Sequence, residues 1–354
     1  MNATDFSGKV VEWYQEHHRT LPWRRTRDPY KIWLSEIILQ QTRVAQGLPY
    51  YRAFVKKYPT VTALAAAPEQ EVLRLWQGLG YYTRARNLRA CAKTVATLFQ
   101  GRFPKTAEEL RKLKGIGEYT AAAIASFAFR EPVAVVDGNV SRVIARIFGV
   151  REDIATPGGR KMIAELAHQI LSRQRPDLHN QAMMEFGALH CTPRNPACDH
   201  CPFSRVCVAR QQGLQSQLPV KRRPGRPNQR TFFYLVLRQG SRWLLKKRSD
   251  DDIWKGLYDF PLVESKTRLS LREAGKKIQG WLRTKHELSF SPVHRHVLSH
   301  QVLQVRFVEA LWPVGAQLPP GPHFRGARFY TARQAEKLPK PVLVSKYLAT
   351  RGVR

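Results

Sequence analysis

Acidic side chains are scarce in this chain. Its 354 residues hold 27 Asp plus Glu against 59 Lys plus Arg, a formal net charge of +32. An imbalance that large argues against a basic partner and favours a polyanion. Charge alone leaves nucleic acid and anionic membrane both open. Long apolar runs are missing as well. None reaches the roughly 20 residues that cross a bilayer as a helix, so no membrane partner is expected. The opening MNATDFSGKVVEWYQEHH lacks the apolar core of a secretory signal and the acid-poor character of a transit peptide. The expectation is a cytoplasmic protein in a reducing compartment. Cysteine is rare, with five in all, and a disulfide framework is not expected in such a compartment. What is present is enough apolar residue, 43%, for a globular chain, and enough length for about two domains with cores of their own.

The most informative stretch is residues 113–147, LKGIGEYTAAAIASFAFREPVAVVDGNVSRVIARI. A glycine turn at Gly115 and Gly117 precedes a small-residue helix, and an acidic turn, Asp137-Gly138-Asn139, opens the next one. Glycines let backbone N–H groups approach a ligand, and a helix start favours an anion such as a DNA phosphate. The plainer reading is a packing joint between two helices, with Asp137 or Asn139 as an ordinary cap.

Residues 33–44, WLSEIILQQTRV, place Leu34, Ile37, Ile38, Val44 and Ala45 on one helical stripe. Glu36 falls off that stripe, on a face with Gln40 and Arg43. Among so many apolar neighbours a carboxyl is a candidate for an acid kept protonated near neutral pH. The alternative is an exposed glutamate paired with Gln40 or Arg43. Further helices are expected over residues 6–18, 61–67, 71–76, 88–99, 106–113 and 160–171. Residues 106–113 open with a capping box, Thr106 with Glu109.

Four of the five cysteines fall at Cys191, Cys198, Cys201 and Cys207. That density points to metal thiolates. Soft ligands at this spacing suit a tetrahedral zinc or an iron–sulfur cluster, and spacing leaves both open. Cys91 stands apart and reads as a buried helix residue. Residues 211–230 are rich in Gln, Pro, Arg and Lys and form a basic connector. Beyond it the period changes. Residues 231–237 and 242–248 read as a hairpin, 303–307 as a half-buried strand and 271–282 as an amphipathic helix.

These motifs together resemble the helix-hairpin-helix DNA glycosylases, and LPWR, WLSEIILQQT and GLGYY resemble the adenine DNA glycosylase family within them. The resemblance implies a multidomain chain. An all-α helix-hairpin-helix glycosylase region over 1–210 would hold the hairpin at 113–140 and a [4Fe-4S] loop at 191–207. The connector at 211–230 would lead to an α+β Nudix-like domain over 231–354. It implies that Gly115 and Gly117 grip DNA phosphates. Glu36 would be the catalytic acid and Asp137 the anion facing the sugar, with Asn139 and Tyr119 orienting both. Gln41 and Tyr81 would enter the base stack. Cys191, Cys198, Cys201 and Cys207 would hold the cluster. The family's Phe-Ser-His reader of 8-oxoguanine matches here as Leu298, Ser299 and His300, with leucine in place of the aromatic.

Two further departures carry meaning. Members that also cut the strand use a lysine two residues after the second hairpin glycine; here that position is Tyr119, and a phenol forms no imine. The glutamate-rich helix of Nudix hydrolases is missing, since Glu264 and Glu273 do not supply its spacing. The expectation is therefore a hydrolase that excises adenine mispaired with 8-oxoguanine or G from double-stranded DNA, without strand cleavage. It would work as a monomer near the bacterial nucleoid. The competing expectations are an endonuclease III-like glycosylase/lyase and a non-catalytic iron–sulfur DNA-binding protein.

Overall fold

In a computed structural model, residues 2–222, 227–249, 252–265, 269–298 and 301–352 are described. The chain divides into two compact units. The first comprises Met1–Ala66 with Asn87–Arg223, the second Ala67–Arg86 with Pro224–Arg354.

The first unit is helical. It contains α1 (Ala3–His17), α2 (Pro29–Leu39), α3 (Val44–Lys57) and α4 (Val61–Ala66). A short helix α5 (Glu69–Leu75) belongs to the second unit, and α6 (Thr83–Leu98) begins there. The first unit resumes with α7 (Ala107–Arg111), α8 (Glu118–Phe129), α9 (Gly138–Phe148), α10 (Pro157–Gln169), α11 (Pro176–Leu189) and α12 (Val208–Gln211).

Local chemistry sets several of these ends. Asp28 caps α2 by accepting from the Tyr30 N–H, and Pro29 opens the helix where a missing N–H costs nothing. Thr106 caps α7 by accepting from the Glu109 N–H; the Glu109 carboxylate meets the Thr106 hydroxyl rather than its backbone, so the capping box is only half formed. Phe6, Val10, Trp13, Val143, Ile144, Ile163 and Phe186 form a core shared by α1, α9, α10 and α11. Burying each such side chain is worth about 1.5–3 kcal/mol.

The second unit is built on a mixed sheet of eight strands among the described residues. They are β1 (Asn228–Gln239), β2 (Arg242–Lys247), β3 (Tyr258–Asp259), β4 (Leu262–Ser265), β5 (Ser289–Phe290), β6 (His294–Val297), β7 (Gln301–Leu311) and β8 (Ala327–Tyr330). β1 and β2 form the expected hairpin. β1 also runs parallel to β7 in long register, from Asn228 against Gln301 to Arg238 against Leu311. Helix α13 (Leu271–Leu282) packs Ala274, Ile278 and Leu282 on the sheet beside Phe233, Leu235 and Leu237. Helices α14 (Ala332–Lys337) and α15 (Val342–Thr350) close the unit. The two glutamates that fail the Nudix spacing have structural partners: Glu264 pairs with Arg230, and Glu273 completes the capping box of α13 with Ser270.

The connector is tied down over its first part. Leu218 O accepts from Arg146 Nε at 3.0 Å, and Val220 O accepts from the Ile154 N–H at 3.1 Å. Its last three residues, Asn228 to Arg230, already belong to β1.

Candidate active site

Helix α2 is short and almost wholly buried, so an off-stripe residue does not reach solvent. Glu36 is 7% exposed. The expected face with Gln40 and Arg43 does not form, because α2 ends at Leu39. Gln40 turns away to donate to Thr120 Oγ1, and Arg43 sits in the N-cap position of α3. Val44 and Ala45 likewise belong to α3 rather than to the α2 stripe. Glu36 is instead met by α8. The Tyr119 hydroxyl donates to Glu36 Oε2 at 2.7 Å, leaving Oε1 to carry a transferable proton. Burial pushes the Glu36 carboxyl up to about 7; the Asp137 charge pushes the same way, while the Tyr119 hydrogen bond and Arg24 oppose it.

Tyr119 is placed by the glycine turn. Gly115 has φ +81°, and a Cβ there would lie 2.7 Å from Asn87 Cβ. Gly117 is the N-cap of α8, in extended conformation, and a Cβ there would meet only open space. Gly115 is thus required by backbone and packing, whereas Gly117 leaves the helix start uncovered.

Asp137 is both a helix cap and a site residue. Its Oδ1 accepts from the N–H groups of Asn139 (2.8 Å) and Val140 (2.7 Å), and its Oδ2 from Asn139 Nδ2 (2.8 Å). Burial raises its carboxyl above the usual range against these donors. The strand-like approach to Asp137 is held by Asn180 on α11, which accepts from the Val135 N–H and donates to Val133 O. Asn139 is fixed from the same helix: a Cβ on Gly187 would sit 2.7 Å from Asn139 Cβ, so only glycine permits this approach.

Glu36, Tyr119, Asp137 and Asn139 line one cavity of about 190 Å³. Drug-sized ligands occupy roughly 300–1,000 Å³, so the hollow suits a single flat heterocycle. One lining group escaped sequence reasoning. Glu185, fully buried on α11, accepts from Arg19 Nη2 at 2.6 Å and from Arg24 Nη2 at 2.7 Å. Burial alone would raise its carboxyl, but the two arginines overcome that and hold it at about 2. With the Arg19 N–H and Nε also donating to Oε1, the acceptor sites of Glu185 are taken, so it fixes Arg24, whose remaining N–H groups can read an acceptor on a base. The only sequence signal was an acid set among Met183, Met184 and Phe186.

The Glu36 shift has a stability consequence. Folded Glu36 titrates at about 7 against an ordinary 4.5, so between those values the native state holds a proton the unfolded state has lost. Stability therefore falls as pH rises through that window and then levels off. Glu36→Gln removes the charging cost. Urea unfolding should find the variant close to wild type at pH 4.5 and more stable at pH 8, by on the order of 3 kcal/mol. Equal pH dependence in both proteins would contradict the burial of an ionisable Glu36.

The two residues expected to enter the base stack, Gln41 and Tyr81, lie on exposed, left-handed backbone. Gln41 has φ 55° and Tyr81 φ 47°, unusual for residues with a Cβ. In the second unit, Tyr81 and Leu298 line a cavity of about 480 Å³ together with Trp254. Ser299 and His300 lie outside the described residues.

Cys191 follows α11, Cys198 lies in a short 3-10 turn, and Cys207 is the N-cap of α12. Among the described residues no three His, Cys, Asp or Glu side chains gather closely enough to hold a single ion. The four cysteines are free thiols, the soft donor set that an iron–sulfur cluster takes. Burial pushes the Cys201 thiol up to about 11, with the other three sulfurs adding to it. A bound metal would displace such a proton. Arg146 donates to Cys191 Sγ at 3.4 Å and to Thr192 O at 2.7 Å, and Arg142 donates to Cys191 O at 2.8 Å. Arg142 also donates to Asn139 Oδ1 at 2.9 Å, so α9 carries the Asp137 cap at one end and the supports of the cysteine loop along its length. Cys91 is fully buried, as expected. No helix among the described residues is long and apolar enough to cross a membrane.

Residues 34–171 match the HhH-GPD superfamily of base excision DNA repair proteins, 191–207 the iron–sulfur binding domain of endonuclease III, and 233–350 the NUDIX domain. The cysteine loop is thus an iron–sulfur site of the [4Fe-4S] type. The chain is similar to the human adenine DNA glycosylase, 44% identical over 61% of this chain and 41% of the relative's length. It is also similar to the adenine DNA glycosylase of Buchnera aphidicola (Baizongia pistaciae strain), 34% identical over 88% of this chain and 87% of the relative. Among solved structures, a thermostable thymine-DNA glycosylase aligns at 30% identity and a TM-score of 0.55, over 59% of this chain and 97% of that one. An endonuclease III–DNA complex shares the fold at 22% identity and a TM-score of 0.51, over 61% of this chain and 99% of that one. A relative 34% identical and matched over nearly its whole length, with a helical repair domain, an iron–sulfur loop and a NUDIX domain in one order, places the chain in the adenine DNA glycosylase family.

Proposed function

We propose that the protein excises adenine mispaired with 8-oxoguanine or G from double-stranded DNA, by hydrolysis of the N-glycosidic bond and without cutting the strand. The observation that carries this reading is the convergence of Glu36 and Asp137 on one base-sized cavity. Adenine enters by leaving the stack, at a cost of about a few kcal/mol. Inside, Arg24, held in place by Glu185, donates to the acceptor nitrogen of its Watson–Crick edge. Glu36, protonated near neutral pH, gives its proton to N7 and turns the base into a good leaving group. Positive charge then builds on the sugar, where the Asp137 carboxylate stabilises it, the division of labour seen in glycoside hydrolysis. Tyr119 and Asn139 hold the two carboxyls in place. Deprotonated Glu36 then activates the attacking water.

The net charge of +32 and the DNA-bound relative of the same fold support double-stranded DNA as partner. Gly115 and Gly117 present the start of α8 to a backbone phosphate, and Gln41 and Tyr81 fill the vacated stack. Recognition of the opposite base is assigned to Leu298, Ser299 and His300 on the sequence match alone. Cys191, Cys198, Cys201 and Cys207 would ligate the cluster and hold the loop that Arg142 and Arg146 of α9 brace; we assign it no step of the reaction. The protein acts as a monomer.

A duplex with one A:8-oxoguanine pair tests this. After incubation and hot alkali the adenine strand should break, and without alkali it should remain whole. Borohydride should trap no covalent complex, because the Tyr119 phenol stands where a lyase needs an amine. Strand breaks without alkali, or trapping, would favour the glycosylase/lyase reading; no alkali-labile site at all would favour a non-catalytic DNA-binding protein.

A further inference from the structure

Asp137 and Tyr119 stand between two hollows. One is the small cavity described above. The other is a groove of about 600 Å³ that shares only those two residues with it. The floor of the groove is small and apolar, with Ala122, Ala134 and Ile163. Its near rim is the first turn of α9, at Gly138 and Ser141. Its far rim is mainly basic. Arg160 and His168 line it from α10, eight residues apart and hence on one face of that helix, and Lys221 lines it from the connector; Glu118 is the acid at its edge.

Lys221 is not there by chance of a loose tether. The connector is fixed on both sides of it: the Ile154 N–H donates to Val220 O at 3.1 Å, and the Arg222 N–H donates to Asp153 Oδ2 at 3.3 Å. Arg160 is braced by donating from Nη1 to Ala155 O at 2.6 Å. Neither Arg160 nor Lys221 has a carboxylate partner among the described residues.

We propose that this groove seats the deoxyribose and flanking phosphodiester of the strand that carries the excised base, with Arg160 and Lys221 as phosphate-positioning residues. The proposal rests on the reading of the small cavity as the base site. With the base on one side of Asp137, whatever is bonded to it lies on the other. A sugar offers C–H surface to the apolar floor, and its phosphate offers anionic oxygens to the far rim. The basic connector thereby belongs to the substrate site.

The test is a salt series. The full-length protein is titrated by fluorescence anisotropy with a duplex whose target adenosine is 2′-fluorinated and uncleavable. Arg160→Ala and Lys221→Ala should each flatten the slope of log Kd against log salt by about 0.9, and the double variant by about twice that. Arg160→Gln, which keeps the aliphatic stem, should flatten it as Arg160→Ala does. Lys221→Arg should keep the wild-type slope, as should Lys9→Ala on the exposed side of α1. Affinity should fall more for the mispaired duplex, whose adenosine leaves the stack, than for a matched one. Wild-type slopes in Arg160→Gln and Lys221→Ala, with both proteins folded, would overturn the proposal. Failure of the base-site reading shows elsewhere, as no adenine released by the wild type on a cleavable duplex.

Discussion

Glu36→Gln should reduce single-turnover adenine release by about 10²–10⁴-fold, the range for a positioned acid–base group, while DNA affinity stays near wild type. Glutamine has the same shape and still accepts from the Tyr119 hydroxyl through its carbonyl oxygen, so the α2–α8 contact survives. What it lacks is a proton that can leave. Geometry and electrostatics both single out this carboxyl. It is buried at 7% exposure, titrates at about 7, and faces the same cavity as the second carboxylate. Glu185 lines that cavity too, but its two arginines keep it ionised near 2 and unable to donate at neutral pH. Glu185→Gln should therefore weaken productive base binding without reproducing the Glu36→Gln defect. A Glu36→Gln enzyme with a near-normal single-turnover rate would remove Glu36 from the mechanism.

Asp137→Asn should cost about 10²–10³-fold in the same rate, the magnitude of losing one preorganised electrostatic group at a developing charge. The choice of asparagine separates cap from catalysis. Asparagine caps helices about as well as aspartate, so α9 should keep its start and the protein most of its stability. One cost is foreseeable. The Asp137 Oδ2 position accepts from Asn139 Nδ2, and an amide NH₂ there would set donor against donor. Asn139 must then rotate, which also loosens its bond from Arg142. Asp137→Ala adds the loss of the cap, worth about 1 kcal/mol. If Asp137→Asn and Asp137→Ala both released adenine at the wild-type rate, the residue would be a cap and nothing more.

Part of this site was legible in the chain and part was not, for a physical reason. Glu36 and Asp137 stand in local contexts that mark them, an acid amid apolar residues and an acid before a glycine at a helix start. The cysteines mark themselves by density. Glu185 carries no such mark, because its meaning comes from Arg19 and Arg24, 166 and 161 residues away along the chain. The end of α2 at Leu39 was also hidden. An apolar stripe that continues into Val44 and Ala45 does not reveal that the chain has turned and begun another helix. In the second unit the hairpin of β1 and β2 follows from a turn signal, whereas the parallel pairing of β1 with β7 does not. A period of two says which face is buried, not which strand lies alongside. The basic connector showed its charge but not its seat, since the bonds that fix Val220 and Arg222 come from Asp153 and Ile154.

The pH dependence of single-turnover adenine release by the wild-type protein, on an A:8-oxoguanine duplex, bears most directly on the claim that a buried, protonated Glu36 drives departure of the base. The rate should hold level below about 7 and fall roughly tenfold per pH unit above it, as that proton is lost. A rate unchanged from pH 6 to pH 9, with DNA binding intact throughout, would contradict it.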